Sequence, residues 1–143
     1  MVLAVDLGVK TGLALFSKNG QLRWVRSGNF GSATRLKKAI PAILAPLAND
    51  GILVLEGGGD LKNSWSNAAK LQGITVVALQ ASDWRNDLFY SRDQRTGKQA
   101  KIHALKMAHN LIRESGIAAP KSLTDDAAEA FLIGYWFLNY YLM

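Results

Sequence analysis

The chain has 143 residues, of which 49% are hydrophobic and 20% charged, so we expect one packed domain over residues 1–143 rather than a disordered chain. Its formal net charge of +6 favours a polyanionic partner such as nucleic acid. The absence of cysteine excludes disulfides and thiolate metal sites, and two histidines argue against a histidine-built zinc site. No signal peptide or membrane span is recognisable, so we expect a cytoplasmic protein without a membrane partner, either bacterial or phage-encoded.

The first 27 residues have the pattern of a three-stranded antiparallel meander. Residues 2–6 and residues 13–16 are two apolar runs of strand length. Asn19-Gly20 then leads into residues 21–27, where apolar and polar side chains alternate. An Asn-Gly pair between two strand-like runs is a strong signal for a β-hairpin.

The rest of the chain alternates predicted helices and strands. A helix capped by Ser32 or Thr34 is expected to run to about Asn49, where Pro41 and Pro46 favour a break. The later elements are buried strands at 52–55 and 74–79, helices at 64–72, 98–115 and from about 124, and a polar, partly mobile segment at 80–97. This order predicts an α/β fold with a central mixed five-stranded sheet, three antiparallel strands followed by two parallel ones, flanked by helices.

Acidic side chains end two of the predicted strands and recur on the last helix. Asp6 and Glu56 each stand at the carboxyl end of a strand, which is the sheet edge where catalytic groups collect in α/β proteins. Asp126 and Glu129 are three residues apart, so they share one face of a helix. If the two strands are neighbours and this helix packs beside them, the four carboxylates converge.

Converging carboxylates repel one another unless a cation lies between them. Mg²⁺ is the hard cation that carboxylates and substrate phosphates commonly share, and Mn²⁺ can substitute for it. Two such ions about 3.5–4 Å apart would position the attacking water and stabilise the leaving oxygen of a phosphodiester. The set therefore favours two-metal hydrolysis of a nucleic-acid backbone. Taken singly, each acid is more typical of a turn or a helix cap, and Asp125 is better explained as a cap.

Three segments resemble the acidic motifs of RuvC-type Holliday junction resolvases. They are Val5-Asp6-Leu7-Gly8-Val9-Lys10-Thr11-Gly12, Val54-Leu55-Glu56 and Asp126-Ala127-Ala128-Glu129-Ala130, and they follow the family's order along the whole chain. The resemblance implies an RNase H-like fold and a homodimer whose two active sites nick opposing strands of a four-way DNA junction. It also implies that Asp6, Glu56, Asp126 and Glu129 are the catalytic ligands of two Mg²⁺ ions. Many family members have Asp where this chain has Glu129, so the longer side chain could shift the metal.

Basic residues that could hold nucleic acid precede and begin the helix at 98–115. Lys98 and Lys101 share one face of it, and Arg92 and Arg95 lie just ahead; a solvated helix face is the alternative. The resemblance likewise implies lysines of this region near the cleaved phosphate. Lys62 and Trp65 follow the glycine loop and could reach the junction centre, with Trp65 stacking on an unpaired base. The other interpretation of Trp65 is packing of its helix on the sheet.

Two alternative functions share these residues. An RNase H-like nuclease acting on RNA or on an RNA–DNA hybrid, as in YqgF-like nucleases, would use the same acids with a different substrate groove. A non-catalytic junction-binding module would bind without cutting, but four uncompensated acids beside DNA would weaken its binding. Half of an actin-like ATP-binding fold would need a second domain, for which 143 residues leave no room, so no nucleotide cofactor is expected.

Overall fold

A five-stranded mixed sheet organises the chain, and the computed structural model describes residues 1–89, 96–117 and 122–142. The strands lie in the order β3-β2-β1-β4-β5. Neighbours pair antiparallel among the first three strands and parallel from β1 to β4 and from β4 to β5. The strands are β1 (Val2–Asp6), β2 (Lys10–Phe16), β3 (Leu22–Asn29), β4 (Ile52–Glu56) and β5 (Thr75–Leu79). The predicted fold class is confirmed.

The Asn-Gly signal marks the turn between β2 and β3. The backbone N–H of Ser17 donates to the carbonyl of Gln21 over 2.8 Å, which closes the hairpin. Gly20 has a φ of +88°, a left-handed conformation that glycine adopts without a steric penalty. The meander of the first 29 residues therefore follows from local sequence.

Within the described residues, five α-helices cover the two faces of the sheet. They are α1 (Ala33–Leu44), α2 (Gly59–Leu71), α3 (Ala81–Leu88), α4 (Gly97–Glu114) and α5 (Asp125–Trp136), and a π-turn at Phe137–Tyr141 extends the last of them. The Ser32 hydroxyl accepts from the backbone N–H of Arg35, so Ser32 rather than Thr34 caps α1. Pro41 lies inside α1 without ending it, and Pro46 lies in the 3₁₀ turn Ala45–Leu47. No helix within the described ranges is long and apolar enough to cross a membrane.

Two helical predictions were wrong. The polar segment at 80–97 contains α3, whose first turn is closed by a backbone N–H of Gln80 donating to the Asp83 carboxylate over 2.8 Å. Gln is an uncommon capping residue, so the pattern carried little helix-start signal. Helix α2 begins at Gly59 instead of Ser64. Gly57 and Gly59 both have a positive φ, so the chain turns sharply within the glycine run and the loop before the helix is shorter than we expected.

Each face of the sheet covers its own apolar core. One core joins the sheet to α1 and α2, with Leu36, Ile40 and Trp65 among its buried members. The other joins the sheet to α3, α4 and α5, and Trp84 and Phe131 belong to it. The molecule therefore has three layers, helices on a sheet on helices. The prediction of a buried strand at 74–79 is wrong in part. β5 lies at the edge of the sheet, and its residues Thr75 and Ala78 are exposed.

Candidate active site

Strand register brings Asp6 and Glu56 together. β1 and β4 are parallel neighbours in which Asp6 pairs directly with Glu56. Side chains alternate between the two faces of a strand, and Val2 and Ala4 of β1 lie in the core beneath α5. Asp6 therefore points to the same face, as does Glu56 after Ile52 and Val54. Two carboxylates thus stand side by side at the carboxyl edge of the sheet, on its α5 side.

Gly12 lets the start of α5 lie directly on the sheet. It pairs with Asp6 across β1 and β2, and a Cβ at this position would overlap the backbone carbonyl of Asp126. Ala127 and Ala128 are buried in this contact, since their small side chains allow a close approach. The absence of a side chain at Gly12 thus sets how near Asp126 and Glu129 come to the strand-end acids.

The four acids interact electrostatically. Burial raises the pKa of Asp6 to about 9, and the charges of Glu129, Glu56 and Asp126 add to the rise. Burial also raises the pKa of Glu56, with Glu129 adding to the effect and Arg85 opposing it. The neighbouring carboxyl group of Glu129 acts on Asp6 both through its charge and through close contact, and both effects raise the pKa of Asp6. The predicted convergence of the acids is thus present in the structure, while their roles stay predictions.

A cation site is consistent with this donor set. Carboxylate oxygens are the ligands that Mg²⁺ prefers, and the raised pKa values of Asp6 and Glu56 are those of carboxyl groups that burial and neighbouring acids make unfavourable to ionise. Within the described ranges, however, no three carboxylate or histidine side chains already form a complete ligand set for a metal ion. Glu129 instead forms an ion pair with a residue of α3.

That residue is Arg85, which the sequence interpretation missed as a functional group. Its Nη2 lies 2.6 Å from Oε1 of Glu129, and its guanidinium lies over the Trp84 ring, 5.1 Å from the centroid. Trp84 is buried, and both residues lie in helix α3 within the segment that was predicted to be polar and partly mobile. The apolar spacing of Trp84 and Leu88, one helical turn apart, was the available signal for α3.

Lys98 and Lys101 line a groove that reaches the acidic helix. The groove has a volume of about 510 Å³ and is bounded by Gly97, Ile102, Leu105 and Asp125 as well as by the two lysines. Both lysines are exposed, and neither forms an ion pair with any residue in the described ranges. Their positions are compatible with the predicted phosphate contacts. Arg92 and Arg95 lie outside the described residues.

Trp65 does not meet the prediction of base stacking. Its side chain is 0% exposed and belongs to the core between the sheet, α1 and α2, on the face opposite to the acids. Its indole N–H has no hydrogen-bond partner among the described residues. Trp65 was named because it follows the glycine loop, but helical periodicity turns it inward. Lys62, one turn earlier, is partly exposed and stays a candidate for nucleic-acid contact.

Comparison with known proteins supports the fold. No protein-family model matches the chain, and no curated protein matches its sequence. Among solved structures it is similar to the yeast mitochondrial Holliday junction resolvase Ydc2, with 14% identity and a TM-score of 0.59 over 96% of this chain and 78% of that chain. This likeness supports the fold alone, a mixed five-stranded sheet flanked by helices as in RNase H-like proteins. A chain of the simian T-cell lymphotropic virus intasome in complex with PP2A regulatory subunit B56 gamma matches with 8% identity and a TM-score of 0.35 over 97% of this chain and 48% of that one. A TM-score this low does not establish a common fold.

Proposed function

We propose that this protein is a Mg²⁺-dependent endonuclease that resolves four-way DNA junctions in the manner of RuvC-type resolvases. The observation that carries the proposal is the meeting of carboxylates from β1, β4 and α5 at one sheet edge. Asp6 pairs in register with Glu56, and Gly12, which pairs with Asp6 on the other side, contacts the backbone of Asp126. The likeness of the fold to a mitochondrial Holliday junction resolvase supports it. A basic chain with a net charge of +6 suits a polyanionic substrate.

Asp6, Glu56, Asp126 and Glu129 would hold two Mg²⁺ ions, or Mn²⁺ in their place. When bound, these ions supply Lewis-acid polarisation of the phosphodiester and a water of lowered pKa. The chain's own contribution is positional. Register fixes Asp6 beside Glu56, and the Gly12 contact fixes the start of α5. The backbone segments that carry the four acids are therefore in place before reaction.

Lys98 and Lys101 are proposed to hold backbone phosphates in the groove beside Asp125. Contacts of this kind give affinity and orientation without reading sequence. A four-way junction offers two opposing strands to cut, so the proposal includes a homodimer with one active site for each strand. A measurement of molar mass in solution by light scattering tests the dimer independently of catalysis.

The decisive experiment compares substrates and variants in one gel assay. A labelled four-way junction, a linear duplex of the same sequence, an RNA–DNA hybrid and a single-stranded RNA are incubated with the protein, with Mg²⁺ or with EDTA. We expect paired nicks in the junction only, and only with Mg²⁺. Asp6→Asn should bind the junction at least as tightly as the wild type without cutting it, since a negative charge facing phosphate is removed.

Each other result has a defined meaning. Cleavage of hybrid or RNA without cleavage of the junction would replace the resolvase proposal by an RNA-processing nuclease with the same acids. Junction binding without any Mg²⁺-dependent product would indicate a binding module. Asp50→Asn is the matched control, since Asp50 is exposed and its ion pair in the described part of the chain is with Lys18; it should cut at the wild-type rate.

A further inference from the structure

Arg85 stands where an incoming cation would have to compete with it. Its Nη2 is 2.6 Å from Oε1 of Glu129, and the side chains are 26% and 14% exposed respectively. A magnesium ion binds its oxygen ligands at about 2.0–2.1 Å. A metal coordinated by this oxygen and a guanidinium hydrogen-bonded along the same direction would place two cations against one another. The Oε1 atom of Glu129 can therefore serve only one of them, and a metal that needs this oxygen has to displace the guanidinium.

Helix α3 holds Arg85 in this position through three further contacts. The guanidinium packs over the ring of Trp84, which is fully buried. At the end of the same helix, Trp136 of α5 donates its indole N–H to the Asp87 carboxylate over 2.5 Å. Phe89 packs edge-on against Trp84 with ring centroids 5.8 Å apart. The second half of α3 is thus tied to α5 by two side-chain contacts, Arg85 with Glu129 and Asp87 with Trp136, so the Arg85 pairing belongs to a helix interface and is not an isolated surface contact.

One buried donor of Arg85 lacks a partner in this interface. The Arg85 Nε forms no hydrogen bond within the described ranges, so the pairing of Nη2 with Glu129 leaves part of the guanidinium unsatisfied.

We propose that Arg85 is a built-in counter-ion that competes with the divalent cation for Glu129, so that metal loading requires Glu129 to exchange the guanidinium for the metal. This inference rests on the proposed function, because it concerns the same carboxylates. It accounts for the lack of a complete ligand set among the described residues. Arg85 is a positioning residue in this scheme, acting on the site through Glu129.

The test is calorimetric titration of Mg²⁺ into metal-stripped protein. Arg85→Gln removes the competitor, so the Kd for Mg²⁺ should fall roughly five- to tenfold, within the usual range of a coupling between two ligands of one site. Arg85→Lys keeps the charge but loses the planar fork, and its Kd should lie between those of Arg85→Gln and the wild type. Arg35→Gln is the matched control, an exposed arginine of α1 over the opposite core, and its Kd should stay within about twofold of wild type.

A second measurement follows Mg²⁺ binding in the wild type and does not depend on how Arg85→Gln folds. The side-chain Nε–H signal of Arg85 is assigned in a ¹⁵N spectrum by its loss in Arg85→Lys. Adding Mg²⁺ should shift this signal and speed its exchange with water. Mg²⁺ binding that leaves the Arg85 signal unchanged would overturn the inference, and so would an unaltered Kd in Arg85→Gln.

The two proposals fail in different ways. If the wild type binds Mg²⁺ and cuts junctions while Arg85→Gln has the wild-type Kd, only the competition is wrong. If neither the wild type nor Arg85→Gln binds Mg²⁺, and no junction is cut, the proposed function is wrong and the competition is overturned with it.

Discussion

The two faces of the sheet use the same strands for different purposes. Beneath α1 and α2, Leu3 and Val5 of β1 and Leu53 and Leu55 of β4 are wholly buried in an apolar core. On the other face, the alternate residues of the same strands begin as core and end as Asp6 and Glu56. On the first face, apolar packing continues to the edge of the sheet. On the second face, the apolar core ends before the last residue of each strand, and that last residue is a carboxylate.

This difference teaches how the molecule separates stability from chemistry. Carboxylates beside one another in a partly buried place are unfavourable on their own. The apolar face and the deeper part of the α5 face offset that cost, because hydrophobic burial is the main favourable term in folding. Substitutions at the charged edge of the α5 face should therefore affect catalysis most, and substitutions within the apolar core beneath α1 and α2 should affect the free energy of unfolding most.

The largest expected effect is the loss of cutting in Asp6→Asn and Glu56→Gln. Each change removes a proposed metal ligand, so cleavage of a four-way junction in Mg²⁺ should fall more than about a thousandfold, or roughly 4 kcal/mol of transition-state stabilisation. Single-turnover cleavage on a gel measures it. Normal turnover in either variant would show that these acids are not the metal ligands.

Gly12→Ala should disturb the α5 face next most strongly. The added methyl group would meet the Asp126 carbonyl, a backbone atom that no rotamer change can move aside, so we expect a loss of at least about 2 kcal/mol in unfolding free energy together with a large loss of cutting. Gly58→Ala is the control, because a Cβ there meets nothing within 4 Å. Equal stability of the two variants in urea unfolding would contradict the close approach.

Much of this geometry could be predicted from the sequence, for identifiable reasons. Local signals such as Asn19-Gly20 and apolar strands ending in an acid gave the meander, the sheet and the convergence of the acids. Contacts between distant segments could not be predicted in this way. The pairing of Arg85 with Glu129 spans 44 residues and depends on where α3 docks, and the burial of Trp65 depends on how α2 is rotated. Periodicity restricts both but does not determine them.

The metal-free protein should lose stability as the pH rises. Asp6 has a pKa of about 9 in the folded state against 3.8 for the ordinary side chain, so the folded state binds the extra proton between these values. Across this window the unfolded chain has lost the Asp6 proton while the folded protein keeps it. The free energy of unfolding is therefore highest at the lower end of the window and falls as the pH rises towards about 9. Asp6→Asn should remove part of this slope and be more stable than the wild type at pH 8 in EDTA, by on the order of 1 kcal/mol or a few degrees in Tm.

Unfolding in urea at pH 5 and at pH 8 measures both proteins. Asp50→Asn is again the control, since Lys18 lowers the pKa of Asp50 through a hydrogen bond and its charge, and this change should not flatten the slope. An Asp6→Asn protein with the full wild-type slope would show that the charge at Asp6 costs no stability.

Smaller effects are expected in the groove. Lys98→Ala or Lys101→Ala should weaken junction binding several-fold and reduce the slope of log affinity against log salt by about 1, the amount expected for one lost phosphate contact. Fluorescence anisotropy at several salt concentrations measures both quantities. Lys70→Ala, an exposed lysine at the end of α2, should leave the slope as it is, and an equal loss in this variant would remove the groove from the binding surface.

The smallest effect on function is expected for Trp65→Phe, which tests the separation of the two faces directly. The phenyl ring fills most of the buried site and lacks the N–H that has no partner, so a stability change of about 1–2 kcal/mol is expected from lost packing. Junction affinity should stay within about twofold, because base stacking would need an exposed ring. A tenfold loss of affinity with intact folding would mean that Trp65 leaves its core to meet the substrate, and that the apolar face also takes part in binding.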